Sequence, residues 1–279
     1  MFKVPPPKIV DIETSLVCPA NCIMCPRTQV LASRRARFMP DEQIYKIIDQ
    51  LLVWKPKIQW GWINEPLADK RLFNFIDYAA SKGLKGWINS NGALLNEDNT
   101  KQLLNSGLEM INFAIDSMDK QKYETSRVNL KFDTVIGKIH KFIETNNKCG
   151  HPLAVMISQI TIPGFNDGEF QAFANYWRPK VDHVQHPEYR TRGADWDKQV
   201  KKITGGKYCF HLENEMPITT DGDVPLCCCD AVCAKPSANV FEIGVEAAWN
   251  TTLRARIIDK IRRDGMESLS FCKLHKDKN

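Results

Sequence analysis

The sequence contains no apolar run of the roughly 20 residues that a membrane-spanning helix needs. Its first residues, through Lys8, include three prolines and lack the apolar segment of a secretory signal. The charge surplus is also small, with 38 Lys and Arg against 33 Asp and Glu and a net charge of +5. These absences argue against membrane and nucleic-acid partners and predict a cytoplasmic protein.

Hydrophobic periodicity predicts six alternating strands and helices in the first two thirds of the chain. Such repeats indicate an α/β fold whose parallel sheet curves into a partial TIM barrel, (β/α)6, with functional groups at the carboxyl ends of the strands. We expect Asp41 to cap the helix before the second strand and Gly83 to end the next helix. The strands are predicted over residues 8–12, 58–63, 85–89, 110–115, 153–161 and 181–186.

Cysteine is abundant, with ten residues in a chain of 279. In a reducing compartment, clustered cysteines are typical of metal or redox sites rather than of a disulfide framework. Six of the ten lie after Gly205 and Gly206, where the regular β/α pattern also ends. The sequence therefore predicts a barrel domain over residues 1–205 and a small cysteine-rich domain over residues 206–279.

Three cysteines, Cys18, Cys22 and Cys25, follow the first predicted strand within eight residues. A cubane iron–sulfur cluster takes one thiolate per iron, so three cysteines leave the fourth iron open to another ligand. A zinc site is the alternative, but zinc ligands favour C-x2-C pairs and need a fourth residue. The spacing therefore indicates a [4Fe-4S] cluster with an open coordination position.

This C-x3-C-x-Φ-C pattern resembles the hallmark of the radical S-adenosylmethionine (SAM) superfamily, with Met24 at the Φ position. Residues 61–66, Gly-Trp-Ile-Asn-Glu-Pro, are similar to its Gly-Glu-Pro motif. Residues 88–92 and 114–117 are similar to its Thr-Asn-Gly and Ser-Ile-Asp-Gly motifs. The resemblance implies reductive cleavage of SAM to a 5′-deoxyadenosyl radical, which abstracts a hydrogen atom from the substrate.

The resemblance also implies roles for individual residues. Glu65 would receive the ammonium group of SAM and Arg127 its carboxylate, while Ala114 stands where relatives contact the ribose. Two alternatives stay open, namely that residues 64–66 are an ordinary helix start and that Arg127 forms a surface salt bridge. The cofactor-binding candidates are Met24, Asn64, Glu65, Ser90, Asn91, Asp116 and Arg127.

The segment from Cys209 through Gly222 to Cys227 resembles the opening of the SPASM and shorter twitch extensions of radical SAM enzymes, and residues 239–250 resemble their later signatures. This resemblance implies one auxiliary [4Fe-4S] cluster, with Cys209, Cys227 and Cys272 as ligands. The fourth ligand is open between His275, Cys228, Cys229, Cys233 and no protein ligand. The spare thiols could instead donate a hydrogen atom or be buried as small apolar groups.

The leading hypothesis is a radical SAM oxidoreductase that dehydrogenates a small polar metabolite, with the auxiliary cluster as electron acceptor. We expect no leader-binding domain, because the first strand begins near Lys8, and this favours a small molecule over a peptide. The alternatives are a peptide-modifying epimerase or cross-linking maturase, and a non-catalytic iron- or zinc-binding protein. The last alternative predicts no SAM cleavage.

Residues near the end of the sixth predicted strand are the candidates for substrate contact or catalysis. We interpret the basic residues after the cysteine loop as a solvated loop, with the alternative that they steer an acidic electron donor such as flavodoxin or ferredoxin. The basic residues are Arg27, Arg34, Arg35 and Arg37. The catalytic candidates are His183, His186, Glu188, Tyr189, Arg190 and Arg192, together with Cys233.

Overall fold

The computed structural model describes residues 4–35, 37–187, 206–227, 230–233 and 236–269. Seven parallel strands form the main sheet of this part of the chain: β1 (Ile9–Ile12), β2 (Lys57–Trp60), β3 (Gly86–Ser90), β4 (Met110–Ala114), β5 (Ala154–Ser158), β6 (His183–Gln185) and β7 (Glu215–Ile218). Their spatial order is β6-β5-β4-β3-β2-β1-β7. Because β1 to β6 follow one another in space as in sequence, the predicted partial barrel of β/α units is confirmed.

Helices connect these strands and continue after β7. Those of the barrel are α1 (Arg27–Ser33), α2 (Asp41–Leu51), α3 (Leu72–Ser81), α4 (Glu97–Asn105), α5 (Lys120–Ser126), α6 (Phe132–Lys148) and α7 (Phe170–Trp177). The later elements are α8 (Phe210–Asn214), β8 (Asp223–Val224), β9 (Ala238–Asn239), α9 (Val240–Ile243), α10 (Val245–Trp249) and α11 (Thr252–Asp264). Short 3-10 turns occupy Pro66–Ala68 and Met266–Ser268.

The apolar stripes of the helices pack on one face of the sheet. Phe113 of β4 meets Phe142 of α6 edge to face, with ring centroids 5.3 Å apart. Successive residues of a strand point to opposite faces, so Asn112 and Ala114 lie on the other side of the sheet. We call that side the lumen face.

The seventh strand is an addition to the six that periodicity predicts. β7 pairs in parallel with β1, from Ile9 opposite Glu215 to Ile12 opposite Ile218. It has four residues and includes Pro217, so neither its length nor its pattern marks it as a sheet strand. Residues after 206 therefore contribute to the main sheet, whereas the domain boundary at residue 205 stays a prediction because residues 188–205 lie outside the described part of the chain.

The two helix-end predictions have different outcomes. The predicted cap of α2 is wrong, because Pro40 occupies the N-cap position and the Asp41 carboxylate pairs with Arg71 instead. The predicted end of α3 is confirmed, since the helix stops at Ser81 and Gly83 has a φ of +77°. Pairing with a distant arginine is a tertiary effect that the local sequence does not contain.

A small antiparallel sheet of β8 and β9 follows β7. Gly222 precedes β8 with a φ of +81°, and the ring of Phe241 packs where a Cβ atom would stand, 2.6 Å from its Cγ atom. The Gly222 carbonyl accepts the Val240 N–H at 2.8 Å, and the Asn239 side chain caps α9. Gly222 and Asn239 therefore stabilise the same turn. Only glycine fits at residue 222, because of its positive φ and the close Phe241 ring.

Farther along, the Trp249 Nε1–H donates to the Pro5 carbonyl at 2.8 Å and joins α10 to the start of the chain. No helix among the described residues is both long and apolar enough to cross a bilayer.

Replacing Gly222 with alanine tests the packing of this turn. In Gly222→Ala, the new Cβ atom makes the left-handed φ unfavourable by about 1–2 kcal/mol. Its overlap with the Phe241 ring destabilises the fold by about a further 1–3 kcal/mol. Gly168→Ala is the matched control, because Gly168 has a φ of +77° and no atom within 4 Å of its Cβ position. Urea unfolding should show the larger loss for Gly222→Ala, and equal losses would contradict the packing argument.

Candidate active site

The loop that carries Cys18, Cys22 and Cys25 lies between β1 and α1, and all three side chains are half-buried. Backbone hydrogen bonds hold the loop against the end of α5. The Asn21 N–H donates to the Val128 carbonyl and the Ile23 N–H to the Ser126 carbonyl, both at 3.0 Å. The loop is therefore anchored to the part of the chain that also carries Arg127.

The environment of these thiols suits metal ligands. Burial raises the pKa of Cys18 to about 12 and also raises the pKa of Cys22, whose thiolate is favoured by the positive charge of Arg127. A metal ion stabilises such thiolates, whereas a reactive cysteine needs a lowered pKa. Within the described residues, no three His, Cys, Asp or Glu side chains are close enough to share one ion. A cubane does not require this, because each thiolate binds a different iron.

Glu65 is buried beside the cysteine loop, directly after β2. Its carboxylate accepts the Ser90 hydroxyl at 2.8 Å, the Asn91 N–H at 2.7 Å and the Leu67 N–H at 3.3 Å. Burial raises the pKa of Glu65, and these donors together with the charge of Arg127 act in the opposite direction. Its own N–H donates to the Val17 carbonyl at 2.9 Å, which ties it to the cysteine loop.

The two interpretations of residues 64–66 are compatible in the structure. Glu65 caps the 3-10 turn Pro66–Ala68, so a helix start is present, and its carboxylate still lies among the candidate SAM residues. The Asn64 side chain accepts the Trp62 N–H at 3.0 Å and thus closes its own loop. The Asn64 side chain thus stabilises the turn between β2 and Glu65.

Asn91 links two of the motifs. Its N–H donates to Glu65, and its side-chain Nδ2 donates to the Cys18 sulfur at 3.7 Å. Ser90 also connects them, since its hydroxyl donates to Glu65 and accepts the Gly92 N–H at 3.0 Å. The structure therefore brings the first three strand ends into one site.

Arg127 and Asp116 form a buried ion pair, with Nε and Oδ2 2.8 Å apart. Arg127 is 7% exposed, so the surface salt bridge is wrong as an interpretation. Burial lowers the pKa of Arg127, but the negative charges of Asp116 and Cys22 raise it by more. The net pKa lies above the ordinary value of arginine, so the guanidinium stays charged. The fourth strand end therefore adds a fixed cation near Cys22 and Glu65, while Met24 is half-buried in the cysteine loop.

A second buried ion pair, between Glu13 and Arg34, was not predicted. Glu13 follows β1 and accepts the Ile63 N–H at 3.1 Å and the Thr220 N–H at 3.4 Å, while Arg34 stacks over the Trp62 ring at 5.2 Å. Burial raises the pKa of Glu13, and Arg34 opposes this effect. The solvated-loop interpretation is therefore wrong for Arg34. In the sequence, the acidic residue Glu13 directly after an apolar strand was the signal that could have indicated a buried ion pair.

The other three basic residues are less buried than Arg34. Arg27 is half-buried, and its Nε–H donates to the Leu16 carbonyl at 3.2 Å. Arg35 and Arg37 are exposed, as the solvated-loop interpretation expects.

The C-terminal cysteines are only partly within the described residues. Cys209 precedes α8 and is half-buried, as is Cys227, whereas Cys233 is buried with a φ of +54°. The Cys233 N–H donates to the Asp230 side chain at 3.0 Å, and burial raises the pKa of its thiol. The predicted positions Cys228, Cys229, Cys272 and His275 lie outside the described part of the chain.

Arg254 on α11 is fully buried near these cysteines. Its Nη1 donates to the Leu212 carbonyl of α8 at 2.8 Å, and its guanidinium stacks over Trp249 at 4.1 Å. Its Nε and Nη2 atoms have no hydrogen-bond partner in the structure. Burial lowers the pKa of Arg254 to about 10, while Cys227 has the opposite effect. A buried cation is unfavourable unless anions or hydrogen-bond acceptors lie near it.

Of the predicted catalytic residues, His183, His186 and the buried Cys233 are described. His183 is an exposed residue of β6, and the His186 Nε2 lies 2.6 Å from the Thr161 hydroxyl. The His186 ring also stacks on Phe170 with centroids 4.0 Å apart. Glu188, Tyr189, Arg190 and Arg192 lie outside the described residues, so the catalytic assignments stay predictions.

A family model for the Radical SAM superfamily matches residues 12–176, which is more than half of the chain. The protein belongs to the radical SAM superfamily. Among curated relatives, the GTP 3',8-cyclase of Thermodesulfovibrio yellowstonii is 29% identical over 193 residues, or 66% of this chain and 56% of the relative. The GTP 3',8-cyclase of Staphylococcus carnosus is 27% identical over 182 residues, which cover 63% of this chain and 48% of the relative. The chain thus spans about half the length of these relatives.

Solved structures of radical SAM proteins share the fold over most of the chain. BtrN in complex with AdoMet and 2-DOIA has a TM-score of 0.65 at 15% identity, covering 97% of this chain and 93% of BtrN. Streptococcus suis SuiB bound to the precursor peptide SuiA has a TM-score of 0.71 at 14% identity, covering 94% and 68%. The structure of anSMEcpe with bound AdoMet has a TM-score of 0.68 at 12% identity, and the match covers 97% of this chain and 88% of anSMEcpe. Membership implies an enzyme with a [4Fe-4S] cluster and SAM as cofactors.

The ion pair at the end of β4 should be essential for stability in this radical SAM enzyme. Arg127→Met leaves the Asp116 carboxylate buried and unpaired, at about 3–5 kcal/mol. Denaturant unfolding should show a smaller loss for Asp116→Asn combined with Arg127→Met than for Arg127→Met alone. Glu144→Gln, which breaks the exposed pair with Lys148, is the control and should change stability little. A loss in the double variant that equals or exceeds the loss in Arg127→Met would contradict a direct interaction.

Proposed function

We propose that this radical SAM enzyme dehydrogenates a small polar metabolite. The observation that carries the radical SAM part of the proposal is the set of hydrogen bonds through Asn91, which connects the Cys18 thiol with the buried Glu65 carboxylate. It supports one site in which a cluster and the amino-acid part of SAM lie side by side. The dehydrogenation part depends on the auxiliary cluster for which Arg254 is the support.

The charges of this site match the amino-acid part of SAM. An ionised carboxylate offers about four acceptor positions, so Glu65 with its three protein donors keeps one for an ammonium group. The guanidinium of Arg127 bonds Asp116 through Nε and can present its other N–H groups to a carboxylate. Opposite charges on Glu65 and Arg127 would therefore orient the zwitterion beside Cys22.

When bound, the cluster and SAM supply a 5′-deoxyadenosyl radical, and an auxiliary cluster would accept the electron that the substrate radical loses. The chain's own residues hold these groups, exclude water and position the substrate C–H bond. The proton that leaves with this electron needs a base, and the sequence candidate His186 is an exposed residue whose ring stacks on Phe170 of α7.

Support for a SPASM- or twitch-like auxiliary cluster comes from Arg254. A [4Fe-4S] cluster with thiolate ligands is an anion, and Arg254 is a buried cation with two unsatisfied donor atoms beside Cys227. We propose Cys209, Cys227 and Cys272 as ligands, with the fourth position open as in the sequence prediction.

We also propose an acidic one-electron donor such as flavodoxin or ferredoxin. The exposed Arg35 and Arg37 give the surface near α1 a positive charge that suits such a partner.

The two substrate types remain distinct hypotheses. SuiB was solved with a precursor peptide and BtrN with 2-DOIA, so the shared fold does not decide between a peptide and a smaller compound. The non-catalytic metal-binding hypothesis differs from both because it predicts no SAM cleavage.

Anaerobic reconstitution with iron and sulfide tests the proposal. The protein should hold about eight irons per chain and convert SAM to 5′-deoxyadenosine when dithionite is present. Replacing Cys18, Cys22 and Cys25 together with alanine should leave about four irons and abolish this activity. Cys149→Ala is the control, because Cys149 is exposed at the end of α6.

Two other results would be decisive against parts of this proposal. SAM cleavage with about four irons in the unmodified protein would remove the auxiliary cluster and the oxidation that depends on it. Bound zinc without 5′-deoxyadenosine would leave a metal-binding protein.

Arg254 should raise the reduction potential of the auxiliary cluster, because a nearby cation favours the more negative, reduced state. In the triple cysteine variant, Arg254→Gln should lower that potential by about 60 mV or more, a tenfold change in a one-electron equilibrium. Electron paramagnetic resonance during a redox titration measures it.

Arg254→Lys should restore most of the potential because it keeps the charge. Arg263→Gln, on the exposed side of α11, is the control and should leave the potential unchanged. An unshifted potential in Arg254→Gln would show that Arg254 does not face the cluster.

A further inference from the structure

A row of hydrogen-bonded polar side chains crosses four neighbouring strands on the lumen face. Asn112 of β4 donates through Nδ2 to Asn89 Oδ1 of β3 at 3.0 Å and to Ser158 Oγ of β5 at 3.1 Å. Asn89 donates in turn to Gln59 Oε1 of β2 at 2.9 Å. We call Gln59, Asn89, Asn112 and Ser158 the polar row.

The polar row lies on the same side of the sheet as the SAM residues. Asn89 comes two positions before Asn91, whose side chain reaches Cys18, and strand residues two apart share a face. Asn112 likewise lies opposite the helix-facing Phe113 and four residues before Asp116. The row therefore runs along the inside of the barrel, beneath the candidate site.

Such a row is unusual inside a parallel sheet, where both faces are normally apolar. Gln59 and Asn89 are half-buried, although their strands lie in the middle of the sheet. The Asn112 Oδ1 atom is buried and has no hydrogen-bond partner in the structure, while Asn112 is 7% exposed. An unsatisfied buried oxygen is unfavourable unless a ligand or water donates to it.

The chemistry of the row is that of an acceptor. Asn89 and Asn112 use their NH₂ groups within the row, Gln59 donates to the Gly61 carbonyl at 3.2 Å, and the Gln59 and Asn89 oxygens accept within the row. Asn112 Oδ1 is therefore the amide oxygen of the row that is left for a ligand. Asp11, a fully buried residue of β1, lies in register with Gln59 and places a carboxyl group at the end of the row. A surface of this kind favours hydroxyl and ammonium groups over phosphates or apolar side chains.

We propose that the polar row is the floor of the substrate pocket and binds a small polyhydroxylated or amino-bearing molecule that donates a hydrogen bond to Asn112 Oδ1. This inference rests on the proposed function, because it places the substrate under the SAM site. It narrows the substrate class to polyols and amino sugars, and it predicts that a nucleoside triphosphate and a peptide bind more weakly.

Equilibrium dialysis of the anaerobic, reconstituted protein with SAM tests the pocket. The probes are glucosamine, myo-inositol, GTP and an alanine–leucine–alanine peptide, each at millimolar concentration. We expect glucosamine or myo-inositol to bind, and Asn112→Leu to weaken that binding about tenfold through loss of one hydrogen bond. Asn112→Ser keeps a hydroxyl that can donate to Asn89 Oδ1 and accept from the probe, and it should retain more glucosamine binding than Asn112→Leu.

Asn146→Leu is the matched control. Asn146 is a buried amide of α6 that donates to the Leu153 carbonyl at 2.8 Å, outside the polar row, so its loss should affect stability and not probe binding. Binding of GTP or the peptide alone would overturn the inference, as would the absence of binding by both polyols. So would equal probe binding by Asn112→Leu and the unmodified protein.

Formation of 5′-deoxyadenosine by the unmodified protein separates this inference from the proposed function. If SAM is cleaved but neither polyol binds, the inference fails and the proposed function stands. If polyols bind through Asn112 but no 5′-deoxyadenosine forms, the pocket stands and the proposed function fails.

Discussion

The buried carboxylate of Glu65 is the interaction on which the site depends. Burying a carboxylate is costly unless donors surround it, and here the donors come from Ser90, Asn91 and Leu67. Glu65 lies in the loop after β2, Ser90 and Asn91 lie at the end of β3, and the Glu65 N–H donates to the loop after β1. One residue therefore fixes three strand ends. The position of the three cysteines relative to the SAM residues follows from this arrangement.

Two buried ion pairs extend the same principle around the barrel. Asp116 and Arg127 fix the end of β4, and Glu13 with Arg34 joins the end of β1 to the segment after β7. Each pair is stable only while both charges are present, so the loops that carry them are held in defined positions. A site that must exclude water from a radical needs this rigidity.

Most of the fold was predictable because its elements are local. Six strands and the amphipathic helices follow from periodicity in the sequence, and their order in the sheet follows from right-handed β/α connections. The seventh strand was not predictable in this way, since its four residues pair with β1 about 200 positions earlier in the chain. Arg34 was misjudged for the same reason, because its partner Glu13 lies outside its own segment.

The sequence by itself determined the superfamily, through three cysteines at a fixed spacing and motifs at successive strand ends. Only the tertiary structure decided what surrounds that chemistry. The polar row takes one side chain from each of four strands. Arg254 is buried against Leu212, Trp249 and Cys227, which lie in other segments of the chain. No local pattern encodes such sets, because each residue is ordinary in its own segment and acts only through neighbours that folding brings together.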